Sequence, residues 1–244
     1  MGESSPPSAR RRDIFYACVM QTGWWVHNLY EQSPVLLASW VFWVLLSIML
    51  HELAHGWAAI WQGDDTPRFA NRMNLNPLTH MGVTSLIFFA LTGFAWGMMP
   101  IDPSRFRWGR RGEAAVAVAG PLMNIALAAI ALTALGLWLA RGPVRSQVFD
   151  NIQIFLYTGG WLNLFLAAFN LLPIPPLDGA RILAGLSRPA RDVIESPQVM
   201  QFGWIAIFAL SMVGFFGPIQ AFTHQTAIAY AQKIEVFCSP QPLL

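Results

Sequence analysis

Charge is what this chain has least of. Only 11% of its 244 residues are Asp, Glu, Lys or Arg, whereas a soluble domain carries about a quarter. Lysine is nearly absent: Lys233 stands alone, and the other fourteen cations are Arg. Two cysteines, Cys18 and Cys238, provide neither a disulfide framework nor zinc-finger spacing. The net charge of +2 gives no electrostatic case for a nucleic-acid partner. No small-residue cleavage site follows an apolar region near the start, so no cleavable signal is expected.

What replaces charge is apolar surface. Hydrophobic residues make up 55% of the chain, and the mean hydropathy is +0.45. Several runs reach the ~18 residues needed to cross a bilayer. This composition implies an integral membrane protein with the lipid bilayer as its solvent. The expected fold is an all-α polytopic bundle of about five to six transmembrane helices. Residues 1–13, rich in Pro and Ser and closing on Arg10-Arg11-Arg12, read as a disordered basic tail. Residues 14–240 read as a single membrane domain. Its expected spans are Ile14–Tyr30 (as a span or an interfacial helix), Val35–Ile60, Glu113–Ala140, Val148–Leu172 and Gln198–Phe216. Ile219–Phe237 reads as a last amphipathic helix. Thr84–Met99 is apolar but short and interrupted by Gly93 and Gly97, which suits a re-entrant or β-like segment near the site.

One stretch inside the second run carries chemistry. His51-Glu52-Leu53-Ala54-His55 reads HExxH. On a helix the two imidazoles lie one turn apart on one face and can grip a single metal ion. Glu52 sits ~100° round from His51, near enough to act on a water beside that ion without being a ligand. It is the only formal charge between Val35 and Ile60, and an ionisable group in a span is costly without a function. A catalytic zinc needs a third protein ligand. Trp61 stands where a metzincin would have its third His, and Asp64 and Asp65 follow Gly63 and are expected to face solvent. Asp178, after a broken stretch with three prolines, is left as the third ligand. Asn124 reads as a helix–helix hydrogen-bonding residue, and His27, His80 and His224 as surface or interfacial residues.

His51 to His55, then Ala119-Gly120-Pro121-Leu122-Met123-Asn124, then Asn170-Leu171-Leu172-Pro173-Ile174-Pro175-Pro176-Leu177-Asp178-Gly179 form three ordered motifs. Together they resemble the site-2 protease family of intramembrane zinc metalloproteases. Leu75-Asn76-Pro77-Leu78-Thr79-His80 resembles the compact prokaryotic branch without a PDZ insertion. The resemblance implies one Zn2+ held by His51, His55 and Asp178, with Glu52 as catalytic base and Asn170 as an active-site hydrogen-bond donor. It implies a membrane-protein substrate with a transmembrane helix, and residence in a prokaryotic inner membrane. An unwound substrate is expected to add as a strand along Arg68–Val83. A metal transporter, or a zinc-binding membrane protein without protease activity, is the other class. The sequence shows no internal repeat or acidic pathway for the former, and lacks no ligand or base as the latter would. No oligomeric state is legible in it.

Overall fold

The computed structural model describes residues 24–142 and 146–239. The basic tail at 1–13 and most of the Ile14–Tyr30 segment lie outside the described residues. The short helix α1, Trp25–Gln32, is what the description keeps of that first apolar run. Both Trp24 and Trp25 donate their indole N–H to the carbonyl of Ala90 at 3.2 Å, tying the start of α1 to a later element.

Helix α2 spans Pro34–Gln62. Ser33 caps it by accepting from the Leu36 N–H, Pro34 occupies the first turn, and Gly63 ends it in the left-handed conformation. Its 29 residues reach ~44 Å at 1.5 Å per residue, more than a hydrocarbon core. It is apolar on nearly every side, as a helix surrounded by lipid and protein must be.

After α2 come a four-residue helix α3, Thr66–Phe69, and α4, Pro77–Thr92, kinked at Gly82. The chain then turns at Gly93 and returns without regular secondary structure from Phe94 to Asp102. One hydroxyl holds the return leg. Ser85 Oγ donates to the Trp96 carbonyl at 2.8 Å and accepts from its N–H at 2.9 Å. Further back the Met98 N–H donates to the His80 carbonyl. Thr84–Met99 therefore doubles back. It does so without a β-strand, none of which occurs among the described residues.

The return leg leads through a short 3-10 turn into α5, Arg110–Leu139. Helix α6 follows at Gln147–Asn170, capped by Ser146. Leu171–Leu177 is irregular, as its prolines require. Then come α7, Asp178–Leu186; α8, Arg188–Ile194; α9, Pro197–Met212; and α10, Gly217–Cys238. Among the described residues, α2, α5 and α6 are long and apolar enough to cross a membrane. Residues 202–212 of α9 and helix α10, bent by 71° at their junction, count as a fourth if taken as one broken span. The five to six spans expected from hydropathy thus stand beside three or four, with the first apolar run largely undescribed.

The core lies where α2, α5 and α6 meet, with Trp43, Val44 and Ile48 packed against Ala131 and Leu162. Trp43 donates its indole N–H to the Phe155 carbonyl at 2.9 Å, which sets the register of α2 on α6. Helix α10 closes the far side by packing Ala227 and Ala231 against Leu132 and Leu135. Small residues at these crossings let the helices approach, as membrane packing demands.

Three expectations are corrected here. Asp64 does not face solvent but is fully buried. Its Oδ2 accepts the Asp102 N–H at 2.7 Å and its Oδ1 accepts from Thr66, so a carboxylate that looked like part of a turn fastens the return leg. His80 is likewise 1% exposed, its Nε2 against the Asn74 carbonyl. Arg68–Val83 offers no strand edge, because it is taken up by α3, turns and the start of α4.

Candidate metal centre

The last turns of α2 are enclosed by α5, α7 and the return leg, and there His51, His55 and Asp178 converge. His51 Nε2 and His55 Nε2 are 3.0 Å apart. Asp178 Oδ2 lies 3.0 Å from the first and 3.3 Å from the second. All three residues are buried.

The state of these atoms follows from their outer partners. Asn163 Nδ2 donates to the Gly159 carbonyl at 2.9 Å, and a carbonyl can only accept. Asn163 Oδ1 therefore faces Asn124 and accepts from its Nδ2 at 2.9 Å. That turns Asn124 Oδ1 towards His51 Nδ1, 2.6 Å away, so the Nδ1 must carry the proton. His55 Nδ1 is settled more directly, since it lies 2.8 Å from the Val116 carbonyl. Pro121, on the same helix, has no N–H to give the Ala117 carbonyl one turn back.

With both Nδ1 atoms protonated, the neutral form of each ring leaves its Nε2 as a bare lone pair, the form a metal takes up. The third group is a carboxylate. Its Oδ2 is buried and has no hydrogen-bond donor. In that form three acceptors lie 3.0–3.3 Å apart, an arrangement that a shared cation, a proton or a metal ion, holds together. Ligands ~2.0–2.1 Å from a tetrahedral zinc are ~3.3–3.4 Å apart. The N, N, O set fits one zinc ion, and each imidazole has the outer partner such a ligand needs.

Gly120 shows how closely α5 is drawn to this point. A Cβ there would lie 2.4 Å from His55 Nε2 and 2.5 Å from His51 Nε2, so any side chain would enter the ligand triangle. The return leg approaches from the other side, where a Cβ on Gly97 would lie 2.6–2.9 Å from the Glu52 carboxyl end. Glu52 is buried and makes no hydrogen bond among the described residues, leaving its carboxylate free to take a proton.

A cavity of about 400 Å³ joins these groups. Its walls include Ser47, the two histidines and Glu52 from α2, Asn124 from α5, and Phe169 and Asn170 from α6. Asp178 and Arg181 come from α7, Trp204 from α9, and Trp96 to Met99 from the return leg. Trp96 and Trp204 touch across it with ring centres 5.7 Å apart. Asn170 does line the cavity, with one amide hydrogen given to the Leu166 carbonyl at 3.0 Å. Asn163 was missed in the sequence, although an Asn in a span was signal enough to look for a buried partner.

The Peptidase family M50 model matches residues 39–153 and 137–214. YwhC of Bacillus subtilis, named as a candidate zinc metalloprotease, is 35% identical over 169 residues, covering 68% of this chain and 77% of its own. Rip2 of Mycolicibacterium smegmatis, named likewise, is 31% identical over 182 residues, or 72% of this chain and 66% of its own. The zinc metalloprotease MJ0392 of Methanocaldococcus jannaschii is 28% identical over 168 residues. That match covers 65% of this chain but only 39% of the archaeal protein. No solved structure matches.

Proposed function

Because the chain belongs to peptidase family M50 and is a membrane zinc metalloprotease, we propose that it cuts within or near transmembrane segments of membrane-protein substrates, as in regulated intramembrane proteolysis. His51, His55 and Asp178 hold the single Zn2+. When bound, the zinc supplies Lewis acidity, polarising a carbonyl and lowering the pKa of water towards about 7. Glu52 accepts the proton of the attacking water and passes it to the leaving amine. Asn170 turns its second amide hydrogen to the developing oxyanion, a neutral donor suited to a low-dielectric site. Trp96, Trp204 and Phe169 keep bulk water from the reacting bond.

The observation that carries this reading is the buried triangle of His51, His55 and Asp178 atoms, 3.0–3.3 Å on a side, beside Glu52. A transporter site has no use for a carboxylate that touches neither ligand nor partner. The ends of α2 and α6 nearest the triangle face one side, because α5 and α6 cross between them and the intervening segment doubles back. That side collects Arg68, Arg72, the Arg105–Arg111 group and the Arg181–Arg191 group, and the positive-inside rule makes it cytoplasmic.

The test is cleavage of a single-span membrane peptide by the purified protein in lipid. Cutting should stop with a zinc chelator and return with added Zn2+. Cutting that persists after the metal has been measured as removed, or none at all by zinc-loaded protein against a panel of spans, would overturn the proposal.

A further inference from the structure

Arg181 stands in the catalytic cavity without an assignment. It sits on α7 one turn after Asp178, so both side chains emerge on the same face of that helix. It lines the cavity shared by the histidines and Glu52, and no other Lys or Arg does so. It is exposed and makes no ion pair or hydrogen bond among the described residues. The acid that shares its field, Glu113, is ion-paired to Arg191 at 3.4 Å. The acids within the cavity are also occupied otherwise, Asp178 on the two imidazoles and Glu52 facing the return leg.

A guanidinium is always charged and offers five donors in a fixed fork matched to a carboxylate. In a cleft with aromatic, low-dielectric walls its field is focused rather than dispersed. A peptide entering this cavity must place some side chain beside it. We propose that Arg181 is a specificity-determining residue, selecting substrates that carry Asp or Glu near the scissile bond and rejecting those with Lys or Arg there. This rests on the protease reading above, and it adds the charge class of the substrate.

The experiment uses the full-length zinc-loaded protein in lipid and one apolar span bearing Asp, Ser or Lys in turn at successive positions at its cytoplasmic end. At one or more positions the wild type should cut the Asp peptide at least about tenfold better in kcat/KM than the Lys peptide, since a like charge facing the guanidinium is disfavoured. Arg181→Lys should keep that preference, Arg181→Gln should bring the ratio near one, and Arg181→Glu should reverse it. Zinc content is measured for each, and the ratio is internal to each variant, so partial loss of folded protein does not affect it. An Asp-to-Lys ratio in Arg181→Glu equal to that of the wild type at every position overturns the inference while leaving the protease reading intact. A wild type that cuts none of these peptides, nor any other span, fails at the protease reading itself.

Discussion

At the scale of single residues, the site is a set of directed protons. Glu52→Gln keeps the shape and the burial but cannot accept a proton. Zinc content should stay at the wild-type level while hydrolysis falls by at least about a hundredfold, within the range general bases contribute. Near-full turnover on a membrane peptide would remove Glu52 from the chemistry. Asn124 holds His51 as the acceptor that keeps its Nδ1 protonated. Asn124→Ala should weaken zinc affinity by about ten- to a hundredfold. Asn124→Asp keeps an acceptor there and should recover much of the loss in a zinc titration, which a purely steric role would not predict. That His51, His55 and Asp178 lie together was expected from the HExxH spacing and, for Asp178, from elimination and the family resemblance. The outer partners were not, because the Asn163 to Asn124 to His51 chain depends on how α5 and α6 are rotated against α2. No local pattern encodes that rotation.

At the scale of elements, the return leg departs most from what periodicity suggests. Its sequence is apolar enough for a span and too short for one, and that mismatch correctly pointed to a segment that enters and returns. What could not be read was its fastening. Ser85 and Asp64 look like a neutral spacer and a turn residue, yet each binds backbone in the return region. Removing the Ser85 hydroxyl leaves the N–H and carbonyl of Trp96 without partners, at a cost of about 1–3 kcal/mol. Ser85→Ala should therefore speed amide exchange over residues 94–98 by about tenfold or more, with α2 and α5 unchanged. Unaltered exchange at Trp96 would show that other contacts hold the leg.

At the scale of the whole molecule, sidedness follows from making the ligands meet. In the proposed topology nine of the described arginines before α9 share the side of the metal triangle and Arg141 lies opposite. Single cysteines at Ala70 and Ser104, both exposed, test this in a background with Cys18 and Cys238 replaced. Ala70 serves better than Thr66, whose hydroxyl is engaged by Asp64. Both cysteines should resist an impermeant thiol reagent in intact cells and react after lysis. Labelling of either from outside would invert or break the topology.

The ligand triangle also bears on how the protein is made. Its first two corners belong to α2, and its third belongs to α7, which is synthesised only after α5 and α6. A nascent chain halted between His55 and Asp178 holds two imidazoles but not the third corner of the triangle. The outer partner of His51, Asn124, itself waits on Asn163 in α6. The triangle therefore closes only once α7 has been made, and Trp204 of α9 joins the cavity wall later still.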